Sequence, residues 1–473
     1  MSGIQACGVY LPRLRLERAT IATATGWMNP PAGKPAHGAR AISSWDEDSL
    51  TMGVAAARNC LLQAESTAVA RVQLASTTLP FADRSNTGLL AAALALDGAV
   101  AVADVTGSLR CATSALIQAL QNDTSTLLVA AEKRQAKPGS AQEMELGHGA
   151  AAILVGGGDA AVSMLGSASL ARDFVDHHRD ADADFDYAFE ERWVRDEAYF
   201  KLVPATIAKA LDGAQVAASA ITHFICPGSP AIGKRIAQTC GFSAEAVTAD
   251  LTARVGNLGS AHALFALAQT LGSAPAGDTL VLVGFGQGVD VLVLRVNRRT
   301  QTEPVATKAI ERGVPEKSYV RYLSNNGLLD MDFGMRAERD HRSAQTTAYR
   351  KRDALTAFIG GRCERCNTVQ FPRSRVCVNP QCRQTDTQVP HRLADQGGRV
   401  KTFTEDWQAY SPRPPYVYGN VTFAEGGNLF MEFCDLEPGE LQVDTPVSFQ
   451  FRIKDIDRVR HFKRYFWKAA PAR

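Results

Sequence analysis

The period of the hydrophobic and polar positions changes along the chain, and the changes divide it. Residues 3–10 (Gly-Ile-Gln-Ala-Cys-Gly-Val-Tyr) alternate as a strand does, and Leu11-Pro12 ends the run. Residues 24–45 are rich in Pro and Gly and read as a loop lying over the domain. From Asp46 acids come first, and apolar residues then recur at helical spacing to Leu62, which predicts a helix. Short apolar strands then alternate with helices: strands at 72–75, 100–105, 126–131 and 150–155, helices at 88–96 and 111–120. A second series holds strands at 161–165, 224–226, 280–283 and 289–296 and helices at 202–212, 232–240 and 260–271. This alternation predicts α/β layering around a buried sheet. The matching element order predicts two related halves, 1–165 and 166–296.

The periodicity fades over 297–352, a polar and basic linker with a short helix expected near 346–358. Four cysteines mark 353–390 as a small metal-bound ribbon. In 391–473, β-rich segments at 398–405, 416–423, 429–434 and 447–451 are separated by Pro, Gly and Asp turns, as in a five-stranded OB barrel. The tail Arg458–Lys468 interleaves basic and aromatic residues, a pattern that can bind nucleic acid. The chain as a whole carries a formal charge of only +2, so the tail is expected to dock on the large domain and no nucleic-acid partner is expected.

With 473 residues, 45% of them hydrophobic and 21% charged, the chain has ample material for a core. Neither a basic start followed by an apolar run nor an uninterrupted apolar stretch of about 18 residues occurs, so a cytoplasmic protein with no membrane partner is expected. Four of the ten cysteines crowd near the C-terminus and six are scattered, which fits a metal site in a reducing compartment better than a disulfide framework.

Two patterns carry chemistry. In Asp104-Val-Thr-Gly-Ser-Leu-Arg-Cys111 an apolar strand passes through a Gly-Ser turn into a helix of small residues headed by Cys111. A cysteine there meets unpaired N–H groups and the positive end of the helix dipole, which favour the thiolate, a nucleophile suited to thioesters. Cys363-Glu-Arg-Cys366 and Cys377-Val-Asn-Pro-Gln-Cys382 are two close pairs whose spacing suits closed tetrahedral thiolate ligation of a structural zinc ion. The acidic stretch after Asp173, with His177 and His178, has no regular ligand spacing and reads as a solvated loop.

With Cys111 so placed, residues 1–296 resemble the thiolase-like superfamily, in the branch of hydroxymethylglutaryl-CoA synthase and β-ketoacyl-carrier-protein synthase III. The resemblance rests on 3–12, Asp46-Glu-Asp-Ser-Leu-Thr-Met, the Cys111 turn, Leu146-Gly-His-Gly-Ala-Ala-Ala-Ile-Leu-Val, Asp173-Phe-Val-Asp and Arg254-Val-Gly-Asn257. Residues 352–465 resemble the zinc ribbon plus OB domain that accompanies such enzymes. The resemblance implies a duplicated α/β fold and a homodimer or higher assembly. It also implies an acyl-CoA C-acyltransferase with Cys111 as acylated nucleophile and Asn257 as a donor to the substrate carbonyl. Direction is left open between Claisen condensation and thiolytic cleavage of a 3-oxoacyl-CoA. Two positions depart from the family pattern: Gly228 stands where its catalytic histidine should fall, and Thr78 where the synthase's acid-base glutamate should. His262 is the preferred substitute base, His148 the second and His223 the third. The competing readings are a retro-aldolase on branched 3-hydroxyacyl-CoA and a non-catalytic acyl-CoA-binding scaffold.

Overall fold

Nine strands carry the catalytic half of the molecule, whose computed structural model describes residues 2–28, 36–64, 68–300, 305–338 and 340–472. In chain order they are β1 (Gly3–Tyr10), β2 (Arg71–Ala75), β3 (Ala101–Val105), β4 (Thr126–Lys133), β5 (His148–Gly156), β6 (Val162–Ala171), β7 (His223–Ile225), β8 (Thr279–Phe285) and β9 (Gly288–Val296). They lie in the order β7-β8-β9-β6-β1-β5-β4-β2-β3. The β2–β4 and β7–β8 pairs are parallel, and β4–β5, β5–β1, β8–β9 and β9–β6 are antiparallel. The two series therefore build the same pattern of one parallel and two antiparallel pairs, joined where Ile4 meets Val162.

Five helices complete this layering: α1 (Ser49–Gln63), α2 (Cys111–Leu120), α3 (Leu202–Ala214), α4 (Pro230–Thr239) and α5 (Ala261–Leu271). The α2 and α5 helices share one buried cluster with Leu128 and Ile153 from the first series and Leu280 and Leu292 from the second. Alternate residues of the same strands face the other way: Val129 meets α1 at Gly53, and Val281 and Val291 cluster with Val203 and Ile207 of α3. Strand alternation thus sets the layers, with the small-residue helix α2 at their centre. The α1 helix starts where the acidic run predicts, closed by a capping box in which Asp48 accepts from the Thr51 N–H at 3.0 Å and the Asp48 N–H donates to Thr51 Oγ1 at 2.9 Å.

The loop expected at 24–45 contains a strand, Ala39–Ile42, antiparallel to Leu14–Glu17, which itself pairs in parallel with Val314–Glu316; residues 29–35 lie outside the described residues. Pro and Gly in the flanks hide this strand, and its burial comes from Arg40, fully buried with its guanidinium on the Glu143 carbonyl and over the Tyr322 ring.

The chain divides into two compact units: Met1–Ser44, Asp48–Leu90 and Asp97–Leu323 in one, Trp45–Glu47, Ala91–Leu96 and Ser324–Arg473 in the other. The second unit opens on short helices at Gln345–Arg350 and Arg352–Leu355. A three-stranded ribbon follows: β10 (Ile359–Cys363), β11 (Val369–Gln370) and β12 (Gln388–Arg392). The OB sheet has five strands, β13 (Gly398–Asp406), β14 (Tyr416–Phe423), β15 (Asn428–Glu432), β16 (Pro446–Asp457) and β17 (Phe462–Pro471). The basic-aromatic tail does not dock as a separate segment: it is β17, antiparallel to β16 from Phe462 opposite Asp457 to Pro471 opposite Val447. Its aromatics are core, with Trp467 fully buried and its indole N–H donating to the Thr356 carbonyl at 2.8 Å. Among the described residues no helix is long and apolar enough to cross a membrane.

Candidate active site

Three strand ends meet at the carboxyl edge of the first series. The β2 strand runs on into Ser76, Thr77 and Thr78, β3 leads through the Gly-Ser turn to Cys111, and β4 ends on Glu132-Lys133. Crevices at the carboxyl ends of parallel strands are where α/β sheets place ligands.

Cys111 is 5% exposed at the head of α2. The turn before it is clamped by Asp290 of β9, itself fully buried. Asp290 accepts from Arg110 at 3.0 Å, Thr113 at 3.1 Å, Ser114 at 2.5 Å and Ser169 at 2.7 Å. Gly284 presses on the same turn: a Cβ on it would lie 2.0 Å from Thr113 Oγ1. The nucleophile is thus fixed from both halves of the fold. Its thiol is not depressed as its helix position alone predicts. Burial, and then the Glu132 charge, push it up to about 12, against smaller help from the Ser260 hydroxyl and the Ala112 N–H. Desolvation outweighs the helix terminus.

Glu132 is the residue that the sequence reading misses. It is fully buried; its Oε1 accepts from the Thr77 N–H at 2.7 Å, Thr77 Oγ1 at 3.0 Å and Ser260 Oγ at 2.7 Å, and its Oε2 accepts from Thr78 Oγ1 at 2.6 Å. The signal available was a carboxylate ending an otherwise apolar strand. Thr78, at the position where the family's glutamate was expected, is a donor to this carboxylate.

The other candidates are placed as follows. Asn257 bonds Glu145 and Gly147 through its backbone, and its Oδ1 accepts from the Gly259 N–H at 2.9 Å; its side-chain NH2 has no partner among the described residues. His262 accepts at Nδ1 from the Leu258 N–H at 3.3 Å, so the ring proton is on Nε2. Burial lowers it to about 4, and it lines a small cavity of about 40 Å³ with Cys226, Gly228 and Asp250. His148 is 1% exposed and spent on the scaffold: Nδ1 accepts from the Ser43 N–H at 2.9 Å and Nε2 lies 3.1 Å from the Arg134 carbonyl. Burial holds it well below the ordinary imidazole range. His223 is bonded to Asp278 at 2.6 Å. Gly228 adopts φ 105°, a backbone shape that a histidine rarely takes, so the absence of the side chain there is built into the turn. The structure therefore gathers Cys111, Ser260 and Glu132, with Thr77 and Thr78 behind them.

In the second unit the sulfurs of Cys363, Cys366, Cys377 and Cys382 all lie within 4.8 Å of one another, Cys363 to Cys382 at 3.8 Å and Cys366 to Cys377 at 3.6 Å. Tetrahedral ligation with Zn–S bonds of about 2.3 Å sets sulfurs about 3.8 Å apart, so the donor set fits a tetrathiolate metal site. Thr387 and Thr368 hydroxyls lie 3.2 Å from Cys363 and Cys366, the outer contacts such thiolates use. Among the described residues this is the one metal-ligand cluster, and the acidic loop is not another: its Asp186 pairs with Arg134 at 2.6 Å.

Known proteins match both units. The 3-oxoacyl-[acyl-carrier-protein] synthase III C-terminal family matches residues 211–296, and the C-terminal OB-fold domain of ChsH2 matches 391–452. Hydroxymethylglutaryl-CoA synthase of Aeropyrum pernix is 25% identical over 347 residues, covering 71% of this chain and 93% of its own. That of Methanothermobacter thermautotrophicus is 26% identical over 339 residues, covering 68% and 96%. Among solved structures, 3-oxoacyl-(acyl carrier protein) synthase III of Pseudomonas aeruginosa PAO1 superposes with a TM-score of 0.54 at 24% identity over 63% of this chain and 99% of its own. MvaS in complex with 3-hydroxy-3-methylglutaryl coenzyme A gives 0.57 at 16% over 70% and 92%. Layers and nucleophile helix together define a thiolase-like protein. More narrowly, the chain belongs to the branch of hydroxymethylglutaryl-CoA synthase and 3-oxoacyl-carrier-protein synthase III, extended by a ChsH2-type OB-fold domain.

Proposed function

We propose that the protein is an acyl-CoA C-acyltransferase that works through an acyl-enzyme on Cys111. The observation that carries this is the clamped, buried cysteine at the head of α2, with a carboxylate and a hydroxyl in reach of its sulfur and no other assigned task. The thioester carbonyl of a coenzyme A substrate is attacked by the Cys111 sulfur, and the free NH2 of Asn257 and the Nε2–H of neutral His262 are the side-chain donors for the oxyanion. A His262 lowered to about 4 is neutral at working pH and serves as a donor. Condensation with a second acyl-CoA and thiolysis of a 3-oxoacyl-CoA are the two directions of the same step. Relatives named as hydroxymethylglutaryl-CoA synthases and a homologous fold solved with coenzyme A support the substrate class.

The four C-terminal cysteines hold one structural Zn2+ and take no part in the chemistry. The edge strand β3 is exposed along Ala101–Asp104, including Val102 at 40%, and is paired on one side only, by β2, which supports a homodimer formed along it. Free cysteines support a reducing, cytoplasmic location.

Intact-protein mass spectrometry after incubation with acetyl-CoA and a panel of acyl-CoAs tests the reading. A mass increase is expected that is lost in Cys111→Ala. An increase that survives in Cys111→Ala, or none with any acyl group while coenzyme A still binds, overturns it and favours the retro-aldolase or the scaffold.

A further inference from the structure

Glu132 poses a problem that the acyltransferase reading leaves unsolved. A fully buried carboxylate is costly unless paired, yet among the described residues no lysine, arginine or histidine forms an ion pair with it. Four donors hold it instead, all from two places: the Thr77-Thr78 turn after β2 and Ser260 at the start of α5. An apolar side chain would serve the fold as well. A carboxylate held by neutral donors keeps its capacity to take up a proton, which one locked to an arginine does not.

Its one route outward is Ser260. The Ser260 hydroxyl has a single proton, and it points at Glu132 Oε1 from 2.7 Å, which leaves the oxygen lone pairs to accept. Ser260 is also within hydrogen-bond reach of Cys111 Sγ. We propose that Ser260 passes the Cys111 proton to Glu132, making a Cys111-Ser260-Glu132 relay in which Glu132 is the proton acceptor for nucleophile activation. Thr77 and Thr78 position that acceptor. Thr78 Oγ1 is itself oriented by the Lys133 N–H, which donates to it at 2.9 Å.

The step balances without any further reagent. As the sulfur forms its bond to the thioester carbonyl carbon, the S–H proton moves to Ser260 Oγ and the Ser260 proton moves to Glu132. The serine is unchanged and the carboxylate becomes a carboxylic acid. When the tetrahedral adduct collapses, the bond from carbon to the coenzyme A sulfur breaks. The departing thiolate takes the proton back by the same path, so Cys111 is acylated and Glu132 is a carboxylate again. This assignment rests on the acyltransferase reading for its substrate but not for its first half, the removal of the thiol proton.

The test therefore begins without acyl-CoA. Iodoacetamide alkylation of Cys111 in the full chain is followed by mass from about pH 6 to about pH 9, with Cys111→Ala as the blank for the other cysteines. With the relay, Glu132 is ionised throughout and the wild-type rate changes less than about threefold. Glu132→Gln and Ser260→Ala must draw their thiolate from solvent, and their rates rise about tenfold per pH unit. A wild-type rate that itself rises tenfold per unit overturns the relay whether or not either variant folds, and so does a flat profile in a folded Glu132→Gln. The same series is then run with acetyl-CoA. A flat alkylation profile with no acyl adduct keeps the relay and removes the acyltransferase reading. An adduct whose rate climbs with pH in the wild type does the reverse.

Discussion

Cys111 and Glu132 sit in one buried pocket, and each makes the other harder to ionise. Such a pair favours one shared proton over two charges, which is why the thiol stands high at rest. The histidines belong to a different ledger. In an unfolded chain an imidazole takes up a proton near pH ~6.5. In the fold His148 does so well below that and His262 at about 4, because both are desolvated. Below the unfolded value the unfolded chain thus binds more protons, and stability falls with falling pH by up to about 1.4 kcal/mol per pH unit for each group. Glu143 and Glu145, raised by burial, act in the opposite sense. The difference between proteins isolates the histidine: guanidinium unfolding between about pH 7.5 and about pH 5.5 is expected to show a smaller loss for His148→Gln than for the wild type. Equal losses would mean that His148 is not held neutral. Cys111 and Asn257 were legible in the sequence because a local turn marks each. Glu132 was not, since its meaning comes from Thr77, Thr78 and Ser260, which lie 54 to 128 residues away along the chain.

At the scale of elements the nucleophile helix depends on the hairpin opposite. The α2 helix has no side-chain cap of its own, and Arg110 ahead of it is tied to Asp290 and the Gly286 carbonyl instead. Gly284→Ala would put a methyl group 2.0 Å from Thr113 Oγ1, inside backbone-held structure. The expected cost is about 1 to 3 kcal/mol, with Cys111 acylation slowed by more than stability alone explains, because the turn it displaces carries the sulfur. Denaturant midpoints and acylation rates measured on the same preparation check this; an unchanged acylation rate would show that the clamp is not needed. Strand and helix order was legible throughout the first 296 residues, since period-2 runs and small-residue helices follow from burial on both faces. The fate of the tail was not. A strand whose alternate residues are Lys and Arg on one face and Phe and Trp on the other reads as a binding surface until its partner strand β16 is known.

For the whole molecule the second unit raises the question of what makes so small a body stable. Its barrel folds around Phe358, stacked on Trp467 and edge-on to Phe449 and Phe371, and it takes in Trp45–Glu47 from the distant N-terminal chain. That inserted segment is held by buried charge: Lys468 lies 3.0 Å from Asp46, 3.3 Å from Glu432 and 4.3 Å above the Trp45 ring, and Arg452 lies 3.3 Å from Glu47 and 2.7 Å from Asp435. Removing one partner of such a pair costs about 3 to 5 kcal/mol, so Lys468→Ala is expected to unfold this unit first in a denaturant titration. The ribbon has little comparable core. Its strands β10 to β12 are short, and four of its largest potential contacts are the cysteine sulfurs themselves. Metal binding energy in such a module is folding energy, on the order of 10 kcal/mol. Purified protein is expected to hold one zinc per chain by elemental analysis. Chelation or Cys363→Ser is expected to strip hydrogen-exchange protection from β10 to β12 while leaving it in β4 and β5, whose core is separate. Retained protection in the metal-free ribbon would mean that the sulfurs merely pack together, and the four-cysteine cluster would lose its claim to be the fold's second centre.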